Sequence, residues 1–512
     1  MRFTRPASMA LTVFAALGAQ TMLPATSVAQ HTPAAMSAIR QADIERDMYT
    51  LAGDEMRGRE AGTLDEMRAS MWLAEQMRKI GLSPRGDAGS WFQWFNMRRT
   101  RISATTSWVK SGGRTLALWT DITPASNAAA DVAGPTVFIG DGSDSSVDIR
   151  GKIVVATLTA PPAATVRTTT NTYEVNYTRA SIAPLANRLT RRGASAVILI
   201  ADSIAEIAFD GIAKTQLRGT YDVVGGVPRF VRAPAAGAIV AAPPPAPVPV
   251  LLAHAIMLSE LRTPGHTIDI RLRSETFESP SVNIIGVVPG TDPILRNEYV
   301  LFSSHQDHDG VRYTVAGDSI WNGADDNGST SVALLAIARA WVKQPSKRSA
   351  LFIFHGAEER GLLGSRYHVA HPVVPLSQIA AVLNGDMIGR NNPDTAALLG
   401  SQPPHRNSAD LVRMSMEANS ATGKFVIDSL WDRPTHPEGW YFRSDHVPYA
   451  ERDVPSLFFS TNLHSDYHTP RDEAKKIDYP KLTRMTQWMY MTGWIAANAA
   501  KRPSIDPGFI LR

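Results

Sequence analysis

Apolar residues near the start of the chain recur at the three- and four-residue spacing of amphipathic helices. Residues 39–51 predict one helix, with apolar positions at Ile39, Ile44, Met48 and Leu51. Residues 64–80 predict a second, whose apolar face is formed by Leu64, Met67, Met71, Ala74, Met77 and Ile80. Gly81 stands where a left-handed residue ends many helices, so we expect the second helix to end there.

Between about residues 131 and 262 the pattern changes to short β-branched runs separated by turns. The runs 136–139 and 152–155 predict strands, and a helical run leads into the apolar run 195–200. A Pro-rich tract at 243–247 is interpreted as a stiff loop. No cluster of catalytic residue types falls in this stretch, which we interpret as a small inserted α/β domain.

From about residue 281 onward, strand-like and helix-like patterns alternate, as is typical of α/β proteins. The predicted strands are 283–288, 299–304, 351–354, 379–383 and 456–459. A helix is predicted at 331–342, capped by Asn327 or Ser329, and a closing helix at 479–499. The expected fold is therefore a mixed, largely parallel central sheet flanked by helices, with a smaller α/β domain inserted.

The first 29 residues have the features of a secretory signal peptide. Arg2 and Arg5 precede a short apolar stretch at 7–17, and the small residues before Gln30 suit cleavage after Ala29. The apolar stretch is interrupted well before the roughly 20 residues that a membrane span requires. We therefore expect an exported protein, periplasmic or extracellular, without stable membrane insertion after cleavage.

Length and composition limit the possibilities further. A chain of 512 residues exceeds one typical domain. The predicted parts are a signal peptide at 1–29, the first part of the main domain at 30–130, the inserted domain at 131–262 and the rest of the main domain at 263–512.

The net charge of +4 is spread without a long basic run, so nucleic acid is not expected as a partner. Because the chain has no cysteine, any metal must be held by histidine and carboxylate.

Histidines and acidic residues cluster where the predicted strands end. They are His305 and Asp307, Asp325 and Asp326, Glu358 and Glu359, Asp386, and a loop holding His464 and His468. Strand ends in an open α/β sheet are where sites form, so we expect these side chains to meet. Two histidines and three carboxylates suit two divalent ions, zinc first, with one carboxylate bridging them. Such a pair acidifies a shared water and polarises a carbonyl, which is typical of a hydrolase.

Adjacent acidic residues support the same conclusion. Asp325 and Asp326 place two like charges side by side, which is costly unless a cation or a set of hydrogen-bond donors compensates. Glu358 and Glu359 repeat the arrangement at another strand end. One glutamate of such a pair can bind metal while the other moves a proton.

The histidines differ in what their surroundings predict. Asp307 lies two residues after His305, so in extended chain it is placed to accept the imidazole hydrogen bond and fix the tautomer. His464 and His468 lie in a predicted loop, and we expect one ligand from them rather than two. The neighbouring histidines set aside as ligands are His308, His355 and His446.

Five ordered segments together resemble the M28 family of di-zinc metallopeptidases, the aminopeptidase and glutamate carboxypeptidase group, with an inserted protease-associated (PA) domain. The segments are His305 to Asp307, Gly323 to Ser329, Gly356 to Ser365, Asn384 to Gly389 and Tyr467 to Pro470. The similarity spans roughly residues 36–130 and 265–500, and the part between them is assigned to the PA domain. The resemblance implies a zinc-exopeptidase type of fold.

The resemblance also implies a role for each matching residue. It implies two zinc ions per chain, one bound by His305 and Asp386 and the other by Glu359 and His468, with Asp326 bridging both. Asp326 is preferred to its neighbour because it lies three residues before Ser329, as the bridging residue does in the family pattern.

The same comparison implies three catalytic residues. Glu358 is expected to be the general base, Asp307 to orient His305, and Tyr467 to donate a hydrogen bond to the developing oxyanion. No metal or base position of the family pattern is missing from the sequence.

The leading hypothesis is an exported aminopeptidase that hydrolyses N-terminal residues of peptide substrates through a metal-bridging water. Three alternatives stay open: a carboxypeptidase of the same family, a glutaminyl cyclase-like acyltransferase with one zinc, and a non-catalytic binding protein built from PA and peptidase-like domains. The complete ligand set and the presence of Glu358 favour a hydrolase. The sequence leaves the recognised chain end open.

Overall fold

The structure is a computed structural model that describes residues 32–159, 181–227, 248–436 and 438–511. The expected signal peptide at 1–29 and the Pro-rich tract at 243–247 lie outside the described residues. The helices are α1 (Gln41–Leu51), α2 (Leu64–Ile80), α3 (Ala183–Arg191), α4 (Ser203–Arg218), α5 (Leu258–Leu261), α6 (Thr330–Lys343), α7 (Leu363–Ala370), α8 (Ala409–Ala421), α9 (Val447–Ala450) and α10 (Tyr479–Asn498). Within these ranges, none of the helices combines the length and the apolar character that crossing a membrane requires.

The strands form two large sheets and one hairpin. In chain order they are β1 (Ser83–Pro84), β2 (Phe92–Ile102), β3 (Trp108–Ser111), β4 (Arg114–Leu116), β5 (Ile122–Pro124), β6 (Ala130–Phe138), β7 (Ile153–Thr157), β8 (Ala196–Ile200), β9 (Thr220–Val223), β10 (Val250–Ala253), β11 (Thr267–Leu272), β12 (Ser274–Val288), β13 (Tyr299–His305), β14 (Gly310–Val315), β15 (Asp318–Trp321), β16 (Ser349–His355), β17 (Ile379–Gly385), β18 (Thr395–Leu399), β19 (Val426–Ile427) and β20 (Ser456–Ser460). The hairpin is β14 with β15.

The larger sheet runs in the order β19-β18-β20-β17-β13-β16-β12-β2-β9, and β1 pairs with β12. Its centre is parallel, because β13 pairs in parallel with β16 and β17, and β17 with β20. Toward β2 and β9 the pairing becomes antiparallel. The expected mixed α/β sheet is confirmed, and its parallel centre is the part that leads to the polar residues.

The second sheet runs in the order β4-β3-β11-β6-β7-β8-β10-β5. The strands β6, β7, β8 and β10 are parallel to one another, and the outer strands are antiparallel. This sheet takes strands from both sides of the predicted 131–262 segment, since β3, β4 and β5 precede it and β11 follows it. The domain boundaries and the PA assignment stay predictions.

Helix α6 packs in the main core and fixes the loop that precedes it. Most of its residues are apolar and buried, and only its last turns reach solvent, at Arg339 and Lys343. Leu335, Ile337 and Trp341 are fully buried, and the Trp341 ring lies edge-on to Phe302 of β13 at 5.2 Å between centroids. The loop carrying Asp326 therefore leads directly into a helix that is buried in the main core.

Two expected helix ends can be compared directly with the structure. Gly81 follows α2 in the left-handed region at φ 103°, which confirms the predicted end of that helix. At the start of α6, the side chain of Asn327 accepts the N–H of Thr330 at 3.3 Å. Ser329 does not cap, because its hydroxyl donates to the carbonyl of Asp325 at 2.7 Å.

Candidate metal centre

Three parallel strands deliver polar residues to one edge of the main sheet. His305 ends β13, Glu358 follows β16 after a short turn, and Asp386 directly follows β17. The turn after β16 packs closely, since a Cβ on Gly356 would lie 2.5 Å from the carbonyl oxygen of Val282. Only glycine fits there.

One group of candidate ligands consists of His305, Glu358 and Asp386. His305 Nε2 lies 3.4 Å from Asp386 Oδ1 and 3.8 Å from Glu358 Oε2. The first two of these atoms are buried and make no hydrogen bond. Buried polar atoms normally have a partner, so this arrangement fits a bound cation.

A second group consists of His308, Asp326, Glu359 and His468. Glu359 Oε1 lies 2.8 Å from His308 Nδ1, and Glu359 Oε2 lies 3.1 Å from His468 Nε2. His308, which the sequence pattern did not predict as a ligand, lies in this group. Strand β13 ends at His305, so the alternation of side chains no longer applies three residues later.

Asp326 lies between the two groups and faces both. Its Oδ1 is 3.2 Å from His305 Nε2, and its Oδ2 is 3.1 Å from His468 Nε2. Burial would raise the pKa of Asp326, but its contacts with His305 and His468 hold that pKa well below the usual range. One carboxylate therefore contacts a histidine of each group.

The neighbouring Asp325 has a different environment. Its Oδ1 accepts the backbone N–H of Gly389 at 2.7 Å, and its Oδ2 lies 3.4 Å from His464 Nε2. The two oxygens therefore connect the loop before α6 to the loops that carry Gly389 and His464. The geometry separates the roles of the two adjacent aspartates, which the residue pattern alone left open.

The loop before α6 is held in place by Asp472. The carboxylate of Asp472 accepts the backbone N–H groups of Asp325 and Asp326, each at 3.0 Å. It is fully buried. Sequence reasoning missed this residue because its partners are main-chain groups nearly 150 positions away in the sequence.

Arg59 ties the same region together from the N-terminal part of the chain. Its guanidinium is fully buried and donates to the carbonyls of Gln306 at 2.7 Å, Asn322 at 2.6 Å, Gly323 at 2.9 Å and Leu51 at 2.9 Å. Burial lowers the pKa of Arg59 to about 10. Arg59 therefore stays charged at neutral pH. Its guanidinium holds both the loop after β13 and the loop before α6.

Asp307 does not make the side-chain bond that the spacing predicted. The ring Nδ1 of His305 lies 3.9 Å from the nearest carboxylate oxygen of Asp307 and 3.1 Å from its backbone carbonyl. The carboxylate instead accepts the backbone N–H groups of Glu358 at 3.0 Å and Glu359 at 3.3 Å. Those amide groups need an acceptor because the turn after β16 leaves them without strand partners. Asp307 still orients His305 through its main chain.

A chain of hydroxyl and amide groups supports Asp386. Ser444 Oγ donates to Asp386 Oδ2 at 2.8 Å, Asn384 Nδ2 donates to Ser444 Oγ at 2.8 Å, and Ser303 Oγ donates to Asn384 Oδ1 at 2.8 Å. All four residues are buried. These contacts direct the other oxygen of Asp386, Oδ1, toward His305. Hydrogen bonds to a metal-binding carboxylate commonly orient it in this way.

Asp309 supports the other side of the site. Its Oδ2 lies 3.5 Å from His468 Nδ1, and it forms ion pairs with Arg218 and Arg312 at 2.6 Å each and with Arg360 at 3.4 Å. Burial would raise the pKa of Asp309, but the guanidinium groups of Arg218 and Arg312 hold it well below the usual range. An ionised carboxylate therefore faces the outer nitrogen of His468.

Glu358 and Tyr467, the other two predicted catalytic residues, border these groups. Burial raises the pKa of Glu358 well above its ordinary value, and the carboxylate of Asp386 adds to that shift. The ring of Tyr467 stacks on that of His468 with centroids 3.9 Å apart, and its hydroxyl accepts a hydrogen bond from Arg443 at 2.9 Å. The structure thus brings all eight predicted site residues to one place.

The donor set fits divalent metal ions. Each group offers imidazole nitrogen and carboxylate oxygen, the ligands that zinc takes when thiolates are absent. Four carboxylates, those of Asp326, Glu358, Glu359 and Asp386, come together with little exposure to water. Without a cation their mutual repulsion would be costly.

The other histidines near the site lie outside both groups. His355 contacts Tyr449 at 3.3 Å through Nε2, and His446 packs edge-on against Tyr441 at 4.7 Å between centroids. Burial lowers the pKa of His446 to about 3. His464, next to Asp325, likewise stands outside both groups, so the 464 and 468 pair contributes one candidate ligand.

Residues 283–492 match the family model described as Peptidase family M28. Aminopeptidase YwaD of Bacillus subtilis (strain 168) is 28% identical over 243 residues, which cover 46% of this chain and 48% of that protein. The matched part thus spans about half the length of this curated relative.

Solved structures of aminopeptidases share the fold. An aminopeptidase from Aneurinibacillus sp. strain AM-1 aligns with a TM-score of 0.57 at 18% identity, covering 92% of this chain and 97% of that chain. A zinc aminopeptidase from Bacillus subtilis aligns with a TM-score of 0.53 at 20% identity, covering 94% of this chain and 100% of that chain. These alignments agree with the mixed α/β architecture.

Proposed function

We propose that this chain, whose residues 283–492 match the model of peptidase family M28, is a di-zinc aminopeptidase that removes N-terminal residues from peptides. The observation that carries the proposal is Asp326, whose two carboxylate oxygens face His305 and His468 at 3.2 and 3.1 Å. A carboxylate so placed is suited to bridge two ions about 3.5 to 4 Å apart. Zinc is favoured by the ligand types and by the similar zinc aminopeptidase from Bacillus subtilis.

Each ion would take its ligands from one group. His305 and Asp386 would hold one zinc, Glu359 and His468 the other, and Asp326 both, with His308 available to the second. When bound, the ions would supply Lewis-acid polarisation of the scissile carbonyl and acidify a water molecule.

Glu358 is assigned as the general base because its carboxylate makes fewer close contacts with the candidate ligands than that of Glu359. Glu359 contacts His308 at 2.8 Å and His468 at 3.1 Å, whereas Glu358 comes no closer than 3.8 Å to His305. Its raised pKa suits a group that accepts a proton from water and passes it to the leaving amine.

Recognition of the N-terminus is favoured over recognition of the C-terminus. A carboxypeptidase needs an arginine or lysine cluster open to the terminal carboxylate. The arginine cluster beside this site, formed by Arg218, Arg312 and Arg360, is already paired with Asp309. The similarity to Aminopeptidase YwaD of Bacillus subtilis also supports recognition of the N-terminus.

Metal analysis combined with a substrate panel tests the proposal. The purified protein is expected to contain two zinc ions per chain and to cleave amino-acyl chromogenic amides, with activity lost in chelator and restored by zinc. Thermal unfolding followed in parallel should show a higher Tm with zinc, because a ligand that binds the folded state stabilises it. Hydrolysis that survives complete metal removal would reject the proposal, and one zinc with cyclisation of N-terminal glutamine would favour an acyltransferase.

Replacing Asp309 with asparagine is expected to weaken zinc binding roughly 10- to 100-fold, because supporting partners of metal-binding histidines have effects of that size. The physical reason is the loss of the negative charge that faces His468 Nδ1 at 3.5 Å. Competition with a chromogenic zinc chelator measures the change. Asp394→Asn, at a carboxylate that is 75% exposed, is the control and should bind zinc as the unaltered protein does. Unchanged affinity in Asp309→Asn would contradict the assigned role.

Export through the segment 1–29, to the periplasm or the cell exterior, is part of the proposal. N-terminal sequencing of the protein recovered from its natural compartment should begin at Gln30. A mature protein that begins at Met1 would reject it. The assignment of residues 131–262 to a PA domain is proposed alongside, on the basis of their separate strand pattern.

A further inference from the structure

The guanidinium of Arg443 contacts the hydroxyl of Tyr467. Its Nη2 donates to Tyr467 Oη at 2.9 Å, and its Nη1 pairs with Glu438 Oε2 at 3.0 Å. The guanidinium also lies over the ring of Trp440 at 4.9 Å. The Arg443 side chain is 29% exposed and that of Glu438 only 4%. Three contacts therefore fix the guanidinium at the border of the site.

The ring of Tyr467 is fixed as firmly as its hydroxyl. It stacks on His468 with centroids 3.9 Å apart and an angle of 29°, and it meets Trp440 edge-on at 6.4 Å and 85°. The phenol therefore has one defined position beside the second group of ligands.

The direction of the hydrogen bond determines where the Tyr467 proton points. A guanidinium has donors and no acceptor, so it uses a lone pair of the phenol oxygen and leaves the single O–H of Tyr467 to donate elsewhere. A charged donor also strengthens the phenol as a donor in turn, because hydrogen bonds in a chain polarise one another. A phenol is protonated at neutral pH, so this O–H is available to donate.

We propose that Arg443 is a positioning residue for peptide hydrolysis, which orients the Tyr467 O–H toward the oxyanion that develops on the scissile carbonyl. The inference rests on the proposed function and adds to it a residue that acts through Tyr467. Glu438 holds the guanidinium in place and balances its charge. An oxyanion donor is effective only when it is oriented in advance, which is what this arrangement achieves.

A double-mutant cycle with Arg443→Met and Tyr467→Phe tests the inference on the zinc-loaded full chain. Tyr467→Phe is expected to lower kcat about 10²-fold, the size typical of removing one oxyanion donor. Arg443→Met should lower kcat roughly 10-fold with KM nearly unchanged, and the double variant should match Tyr467→Phe within about twofold, because residues that act as a unit are not additive. Zinc content should stay at the level of the unaltered protein.

Two results would overturn the inference. The first is a double variant whose loss in kcat equals the product of the losses of the two single variants. The second is an Arg443→Met variant that changes only KM, and only for substrates with acidic side chains, because Arg443 would then bind substrate directly. Arg443→Lys, which keeps the charge, should recover part of kcat and guards against misfolding of the methionine variant. Arg471→Met, at a guanidinium paired with Asp466 at 3.1 Å, is the control and should keep full activity. Failure of the proposed function is distinguishable, since the unaltered zinc-loaded protein would then lack peptidase activity.

Discussion

Glu358→Gln is expected to lower kcat for peptide hydrolysis by about 10²- to 10⁴-fold, the contribution typical of a general base. Glutamine has nearly the same shape but cannot take the proton that the attacking water must lose. The zinc content should stay the same, because Glu358 lies 3.8 Å from His305, farther than Asp386 at 3.4 Å. Steady-state kinetics and elemental analysis of the same preparation measure both quantities.

The adjacent Glu359→Gln supplies a matched comparison for this prediction. Glu359 contacts two histidines of the second group, so its replacement should reduce the zinc content as well as the rate. Two variants one residue apart would then differ in metal content. If Glu358→Gln lost zinc and Glu359→Gln kept it, the roles of the two glutamates would be reversed.

Asp326→Asn is expected to have the second large effect, a fall from two bound zinc ions to one or fewer. An amide offers one neutral oxygen where the carboxylate offers two charged ones, and His305 and His468 each face one of those two oxygens. The loss of affinity should exceed the roughly 10- to 100-fold typical of supporting residues, since a direct ligand is removed. Zinc titration with a competing chelator measures it.

Asp325→Asn is the matched control for the bridging carboxylate. Its Oδ1 accepts the N–H of Gly389, and an asparagine oxygen can accept the same bond. This variant should keep both ions and most of its activity, with a modest loss of stability from the weakened contact with His464. Equal zinc loss in Asp325→Asn and Asp326→Asn would contradict the assignment of Asp326 as the bridge.

The sequence was sufficient to predict the placement of residues that directly follow buried strands. His305 and Asp386 end or follow apolar runs that the structure shows as neighbouring parallel strands. Continuous apolar runs of that length are typical of strands in the interior of a parallel sheet. Parallel strands bring their carboxyl ends to one edge of the sheet. The mixed α/β fold and the meeting of the ligands therefore followed from local pattern.

Residues that act on the main chain could not be found in this way. Arg59 donates to four backbone carbonyls, and Asp472 accepts backbone N–H groups of the loop before α6. Backbone N–H and C=O groups are the same in nearly every residue type, so the sequence does not show which of them Arg59 and Asp472 contact. Asp309 is hidden for a related reason, because its arginine partners include Arg218, 91 positions away.

The two departures at the ligand loop have a shared physical cause. His308 joins the second group and the Asp307 carboxylate turns away from His305 because the chain leaves β13 at His305. Past that point the two-residue alternation of a strand no longer fixes which way a side chain points. Two-residue spacing therefore predicts side-chain direction only up to His305, the last residue of the strand.

The central claim is that Asp326 joins two zinc ions in one site, and anomalous diffraction at the zinc absorption edge from crystals of the zinc-loaded protein tests it most directly. Two anomalous peaks are predicted, one between His305 and Asp386 and one between Glu359 and His468, about 3.5 to 4 Å apart on either side of Asp326. A single peak, or two peaks that do not share Asp326, would contradict the account.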